Sequence, residues 1–97
     1  MKKKFKNLNE VRKNIDNVDE RLVQLISERE FYVKEALKFK LNKKQIIDKK
    51  RINIVLKRIK KFSKKYKAND LITQRLWKLM IKNFIILENK LFKNPKK

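Results

Sequence analysis

The first forty residues carry apolar side chains at intervals of three and four positions. The repeating positions are Leu8, Val11, Ile15, Val18, Leu22 and Leu25. Because an α-helix has about 3.6 residues per turn, this spacing predicts one apolar seam along a long amphipathic helix. We expect the helix to run from about Asn7 to about Leu41, roughly 50 Å in length. A helix this long cannot pack against itself, so other helices must cover its seam.

Two shorter apolar repeats follow a polar connection at residues 42–44. The first repeat contains Ile52, Val55, Ile59, Phe62 and Tyr66, and the second contains Leu76, Leu79, Met80, Ile81, Ile85 and Phe92. Asp48 precedes the first repeat, and either Asn69 or Asp70 precedes the second. These residue types cap helix N-termini. The pattern therefore predicts an all-α fold, a three-helix protomer with a long first helix.

The chain is short enough to form only one domain. We place that domain at residues 7–93, with a basic leader at residues 1–6 and a tail at residues 94–97 that are both expected to be disordered. A monomer of 97 residues buries only a modest fraction of its surface. A partner chain is therefore expected.

The residue types that are missing narrow the chemistry. Gly is absent and Pro occurs once, so hairpin turns and glycine-rich nucleotide loops are not expected. Cys and His are absent too, which excludes thiol nucleophiles, serine-histidine-aspartate triads, disulfides and nearly all zinc or haem sites. We expect no metal and no cofactor, and any chemistry must use Lys, Arg, Asp, Glu and hydroxyl groups.

A formal net charge of +20 first suggests nucleic acid, because clustered Lys and Arg neutralise phosphates. The excess is mostly Lys and accompanies abundant Asn and Ile, the combination that AT-rich codons produce. A basic helical nucleic-acid-binding protein is the alternative from another functional class, with a surface at Lys57, Lys60, Lys61, Lys64 and Lys65. Such a run is more often a solvated helix face, so we do not expect a nucleic-acid partner.

No stretch approaches the roughly 18 uninterrupted apolar residues of a membrane span. The N-terminal lysines are not followed by an apolar run of the kind found in a secretory signal. We expect a cytoplasmic protein that does not associate with a membrane.

Two cations on the predicted first helix share one face. Arg29 occupies the apolar seam, and Lys40, eleven residues later, lies about 20° from the same face and about 16 Å along the axis. Long side chains reaching toward each other from these positions leave a gap suited to a small anion. Arg12 is about 25 Å from Arg29 along the same helix, too far to join that site in one chain. An antiparallel partner chain can supply it.

The third helix carries an acid among apolar residues. Glu88 shares a helical stripe with Ile81, Ile85 and Phe92. Burial in such a stripe favours the neutral, protonated carboxyl group, which can donate a hydrogen bond.

Each charged residue also has a simpler role. Arg29, Lys40 and Arg51 can be solvated at helix faces. Asp48, one turn before Arg51, can act only as a helix cap, and Glu88 can pair with a nearby Lys. Their combination favours the functional interpretation.

Four segments of the chain carry recognisable spacings. Residues 8–19, LNEVRKNIDNVD, have the form L-x-x-x-R-x-x-I-D-x-h-D, in which h is apolar, and residues 25–29, LISER, have the form L-h-x-x-R. Residues 32–40 lead to a lysine, and Asp48 with Arg51 forms D-x-x-R. Together these segments resemble the all-helical (AroQ-class) chorismate mutases and the related isochorismate pyruvate-lyases. The resemblance extends from Leu8 to Phe92.

The resemblance implies an intertwined homodimer with two sites, each completed by an arginine from the other chain. Arg12 of one protomer and Arg29 of the other would hold the carboxylates of a small dicarboxylate substrate. The implied activity is the rearrangement of chorismate to prephenate, in the shikimate pathway to aromatic amino acids.

Four further positions receive roles from the same resemblance. Lys40 would reach the ether oxygen and a carboxylate, and Glu88 occupies the place of a Gln or Glu that hydrogen-bonds the ether oxygen. Arg51 would add positive potential. Asp48 falls where the family contacts the substrate hydroxyl through the start of the second helix.

One position departs from the mutase pattern. Many mutases have a Glu just after the arginine of the second helix, where it binds the substrate hydroxyl, and this chain has Ile52. Ile52, residues 32–40 and the region of Ile85 resemble the lyase branch. Conversion of isochorismate to salicylate and pyruvate is therefore the alternative within the family, and the sequence does not separate the two substrates.

Overall fold

The computed structural model describes residues 4–93, which form helices joined by short connections. In chain order, the elements are α1 (Leu8–Leu37), a 3₁₀ turn (Lys43–Gln45), α2 (Lys49–Lys65) and α3 (Asp70–Leu91). Residues 4–93 contain no strand. The predicted all-α fold of three helices, with the first one longest, is confirmed.

The predicted leader and tail fall mainly beyond this range, since residues 1–3 and 94–97 lie outside the described residues. The domain limits at residues 7 and 93 stay a prediction. Contacts divide the chain into two units, the first ending at Tyr32 and the second beginning at Val33. Each unit is described by itself.

Helix α1 begins at a reciprocal cap in the first unit. The Asn7 side chain accepts a hydrogen bond from the backbone N–H of Glu10 at 3.0 Å, and the Glu10 carboxylate accepts one from the N–H of Lys6 at 2.7 Å. Two of the N–H groups at the helix start are thereby satisfied, as in a capping box. The acidic side chain also complements the positive end of the helix dipole.

The apolar seam of the first unit is exposed along α1. Ile15, Leu22 and Leu25 retain 51%, 49% and 59% of their accessible surface. Apolar side chains repeating along one helical face are stabilised by burial, which contributes about 25 cal/mol per Å². In the first unit by itself this stabilisation is not gained, because the seam remains exposed.

Helix α1 ends at Leu37, and the predicted end at Leu41 was wrong. The N–H groups of Lys38, Phe39 and Lys40 bond to carbonyls only three residues earlier, at 3.1 to 3.2 Å. This tighter pattern closes the helix and turns the chain away from its axis. Leu37 before the turn and Ile46 after it are both buried, at 8% and 3% exposure, so side-chain burial holds both ends of the connection.

Helices α2 and α3 pack against each other in the second unit. Ser63 of α2 is buried, and its hydroxyl lies 2.5 Å from that of Thr73 in α3. The side-chain amide of Gln74 donates to the backbone carbonyl of Leu56 at 3.0 Å. These polar contacts fix the register of two helices whose apolar side chains, Phe84 apart, are half-buried or exposed.

A left-handed residue joins α2 to α3. Lys67 has φ of 56°, and the N–H of Ala68 bonds to the carbonyl of Ser63 at 2.8 Å while that of Lys67 bonds to Lys64 at 3.4 Å. This pair of bonds is a Schellman motif, in which Gly usually takes the left-handed position. The chain contains no Gly, so a lysine occupies it. Asn69 then caps α3 by accepting from the N–H of Ile72 at 3.0 Å, which confirms the first of the two predicted caps.

Candidate active site

An ion pair links the connection after α1 to the C-terminal half of α3. The Lys40 ammonium nitrogen lies 3.5 Å from Oε2 of Glu88. The Lys40 side chain is 22% exposed and the Glu88 side chain is 10% exposed, so water reaches this pair only partly. Charges in such a setting act on a ligand more strongly than charges on an open surface.

Lys40 does not lie on a helix. The prediction that Lys40 and Arg29 share one face of α1 was wrong, because α1 ends three residues before Lys40. Its backbone instead lies in the turn that follows, where its N–H bonds to Leu37 at 3.1 Å. The position of this side chain is therefore decided by the connection and by its contact with Glu88.

Glu88 occupies the buried position that the stripe on α3 predicts. It retains 8% of its accessible surface, and Ile81 and Ile85 on the same helix are half-buried. Its contact with Lys40 is the ion pairing that the sequence left open as an alternative. The protonated form of Glu88 stays a prediction.

The connection between α1 and α2 borders an open hollow of about 590 Å³. Its lining contains three cations, one carboxylate, one amide and one apolar side chain: Lys40, Lys44, Lys49, Asp48, Gln45 and Ile47. The three ammonium groups outnumber the single carboxylate. A hollow with this lining is chemically suited to a small anion.

Sequence reasoning did not single out Lys44, Gln45 and Lys49. Lysine is so frequent in this chain that two more lysines carry no signal. Gln45 does carry one, because it follows Asn42 by three residues, the spacing of a capping box.

Asp48 caps α2 as predicted. Its carboxylate accepts from the N–H of Arg51 at 3.0 Å, and its carbonyl accepts from the N–H of Ile52 at 2.9 Å. The structure thus joins Asp48 to Arg51 through the backbone. Asp48 also lines the hollow, whereas the Arg51 side chain is exposed and Ile52 and Ile85 are half-buried.

The two remaining predicted cations lie on the part of α1 that belongs to the first unit. Arg12 is exposed and Arg29 is half-buried. The seventeen residues between them correspond to about 25 Å of helix. One small anion cannot contact both arginines of the same chain.

The lysines of α2 point away from the buried positions of that helix. Lys57, Lys60, Lys61, Lys64 and Lys65 are all exposed. Residues 49–65 contain nine basic and no acidic residues. This surface is basic, as the sequence indicates, and exposure by itself fits a solvated face.

Two features are absent from the described residues. Residues 4–93 contain no group of three or more His, Cys, Asp or Glu that could hold a metal ion. In the same part of the chain, no helix is both long and apolar enough to cross a membrane.

Comparison with known protein families identifies the family of this chain. The family model described as Chorismate mutase type II matches residues 11–89, a span that contains the whole predicted set of site residues. The chain therefore belongs to the chorismate mutase type II family, the AroQ class, as its sequence resemblance indicates. No curated protein matches the chain.

Proposed function

We propose that this protein is a chorismate mutase that converts chorismate to prephenate. The observation that carries the proposal is the half-buried Lys40–Glu88 pair, 3.5 Å apart, in a chain of the chorismate mutase type II family. Lys40 also lines the hollow beside α2, so its ammonium group is accessible to a small anion.

The reaction does not require the His and Cys residues that this chain lacks. In one step the ether C–O bond breaks and a C–C bond forms, without a nucleophile, a metal ion or a proton transfer. The enzyme must hold a flexible dianion in its compact conformation and stabilise negative charge that grows on the ether oxygen. Arginines and lysines supply both functions, so we propose a cofactor-free reaction.

Lys40 and Glu88 are the proposed donors to the ether oxygen. An ammonium group stabilises developing negative charge directly. The Glu88 carboxyl group, 8% exposed and 3.5 Å from the Lys40 ammonium group, is proposed to donate a hydrogen bond to the same oxygen in its protonated form. We propose that bound substrate takes the place of the direct Lys40–Glu88 contact.

The remaining residues are proposed to bind and orient the substrate. Arg29 holds a carboxylate, since a planar guanidinium matches a carboxylate with two parallel hydrogen bonds. Arg51 adds positive potential at the start of α2. Asp48 meets the substrate hydroxyl at the same helix end, where it already lines the hollow.

We propose that the active form is an intertwined homodimer in which Arg12 acts on the site of the other chain. The exposed apolar seam of α1 supports an additional helix packed along it. Because the two arginines are proposed to bind one substrate, their separation of about 25 Å supports a site that takes one of them from another chain. A twofold dimer would supply two identical sites.

Isochorismate pyruvate-lyase is the second candidate. The observation that favours it is the half-buried Ile52, at the position where many mutases bind the substrate hydroxyl through a Glu. Ile85 is also half-buried, and its region resembles the lyase branch. The same cationic residues would hold isochorismate, whose ether bond also breaks. We place either activity in the cytoplasm, in a single domain at residues 7–93.

One assay separates the candidates. Purified protein is incubated with chorismate and, separately, with isochorismate, and prephenate, salicylate and pyruvate are measured. We expect prephenate from chorismate at a rate far above the uncatalysed reaction. Salicylate and pyruvate from isochorismate, with no prephenate, would assign the lyase activity instead, and no product from either substrate would refute the proposal.

A further inference from the structure

We propose that Gln45 is a positioning residue that holds Lys40 in place. Its side-chain oxygen accepts a hydrogen bond from the backbone N–H of Leu41 at 2.5 Å. Leu41 directly follows Lys40, so this bond holds the peptide unit next to the lysine. The inference rests on the proposed function, in which Lys40 stabilises the charge on the ether oxygen.

Lys40 needs such support because it lies outside the helices. The connection from Leu37 to Ile46 is held at its two ends, since these residues are 8% and 3% exposed. Lys40, Leu41 and the 3₁₀ turn lie between these ends. The exposed middle of a connection is free to move unless its backbone groups find partners.

Gln45 supplies that partner from within the connection. Its own N–H bonds to the carbonyl of Asn42 at 3.2 Å, which closes the 3₁₀ turn and brings its side chain back toward Leu41. The arrangement resembles a capping box, in which the third residue after the cap reaches back to an N–H group at the start of the turn. Asn42, at the cap position, makes no cap hydrogen bond with its side chain. Gln45 therefore secures the start of this turn.

Glu88 holds the ammonium end of the Lys40 side chain. The Lys40 N–H bonds to Leu37 at 3.1 Å, the next N–H bonds to Gln45, and the ammonium group contacts Glu88 at 3.5 Å. Catalysis by a preorganised charge depends on such fixed placement, because misplacement by about 1 Å can cost on the order of a hundredfold in rate. Gln45 acts through Lys40 and does not itself need to touch the reacting atoms.

The test compares three substitutions in one exposed turn. Gln45→Met removes the acceptor at nearly constant length, Gln45→Glu keeps an oxygen acceptor, and Asn42→Ala alters the neighbouring side chain that makes no cap bond. Both residues are exposed, so none of these changes removes core packing. Amide hydrogen exchange at Leu41, the ¹³C resonance of the Glu88 carboxyl group, kcat and KM are measured for each variant.

In Gln45→Met we expect the Leu41 amide to exchange roughly fivefold faster, the effect of one net hydrogen bond. The Glu88 resonance should move toward its position in Lys40→Ala, and kcat should fall roughly threefold to tenfold with KM changed less than about twofold. Asn42→Ala should match the unsubstituted protein in all four measurements. Gln45→Glu should keep the slow exchange at Leu41.

Each contrary result has a distinct meaning. Unchanged exchange at Leu41 in Gln45→Met would show that the hydrogen bond is absent and overturn the inference. Faster exchange with an unmoved Glu88 resonance would show that Lys40 does not depend on Gln45, which also overturns it. Inactivity of the unsubstituted protein on both substrates would refute the proposed function, whereas the exchange and resonance measurements would still decide whether Gln45 positions Lys40.

Discussion

The Lys40 ammonium group and the Glu88 carboxyl group lie 3.5 Å apart although 48 residues separate them in the sequence. The cation comes from an irregular connection and the acid from the last turn of α3. A half-buried pair of this kind is costly to leave unmatched and is a frequent feature of functional sites. The pair defines where the proposed reaction takes place, and substitutions of Lys40 and Glu88 can test it.

Replacing Lys40 with Ala should remove nearly all activity. Loss of a donor that stabilises charge in the transition state typically costs about 3 kcal/mol, or on the order of a hundredfold or more in rate. Steady-state kinetics with chorismate give the loss, and circular dichroism checks that the helices remain. Lys38→Ala is the matched control, because Lys38 is exposed and pairs with Glu35 at 2.6 Å on the same turn. Full activity in Lys40→Ala would refute the site.

Replacing Glu88 with Ala should lower the activity, because it removes the carboxyl group that lies 3.5 Å from the Lys40 ammonium group. In Glu88→Gln the side-chain amide can still donate a hydrogen bond to the ether oxygen, so we expect kcat to be largely retained. Steady-state kinetics with chorismate compare both variants with the unsubstituted protein. Equal activity of Glu88→Ala and the unsubstituted protein would argue against a role for Glu88.

Mixing two inactive variants should restore activity if Arg12 acts across the dimer. In a dimer of one Arg12→Ala chain and one Lys40→Ala chain, one site keeps both residues and the other loses both. Random exchange of subunits would yield about a quarter of the original number of intact sites. Activity is assayed after the two proteins are unfolded together and refolded. Absence of any recovery, with mixed dimers demonstrated by mass spectrometry, would show that Arg12 does not act on the site of the other chain.

Replacing Lys67 with Gly should stabilise the protein. A side chain in the left-handed conformation costs roughly 1 kcal/mol, which Gly avoids at this position. Urea unfolding at a fixed protein concentration gives the change in the free energy of unfolding. Lys61→Gly is the control of opposite sign, because Gly in a helix interior destabilises by about 1 kcal/mol. A destabilised Lys67→Gly would show that the left-handed turn does not persist in solution.

The basic surface of α2 should assist the substrate without requiring a nucleic acid. A net charge of +20 attracts a dianion, so we expect kcat/KM to fall as ionic strength rises. Duplex DNA added as a competitor should leave the activity unchanged near 0.15 M salt. Tight DNA binding that displaces chorismate would favour the nucleic-acid alternative and would map to lysines such as Lys57 and Lys61.

The sequence was sufficient for the features that depend on a few neighbouring residues. The helices follow from apolar spacing. The cap Asp48 and the two candidates Asn69 and Asp70 follow from residue types that cap helices, and the side chains of Asp48 and Asn69 each accept from an N–H group three residues away. The family could be recognised for the same reason, because its motifs are short spacings along helices. The burial of Glu88 was also readable from its stripe on α3.

The sequence was insufficient for the features that depend on packing between elements. The end of α1 at Leu37 could not be predicted, because burial of Leu37 and Ile46 decides where the chain turns. Lysine at the left-handed position of the α2–α3 turn has no signature of its own, since Gly is the usual marker of such a position.

Sequence by itself determined three amphipathic helices, the cap of α2, two candidates for the cap of α3 and a set of charged residues in unusual positions, because helical periodicity and capping act over one or two turns. Tertiary structure decided that Lys40 leaves the helix, that it meets Glu88, and that Gln45 holds the backbone beside it. The physical reason is the distance along the sequence over which each interaction acts. A contact across 48 residues depends on how α3 packs relative to the connection, and no local spacing encodes that distance.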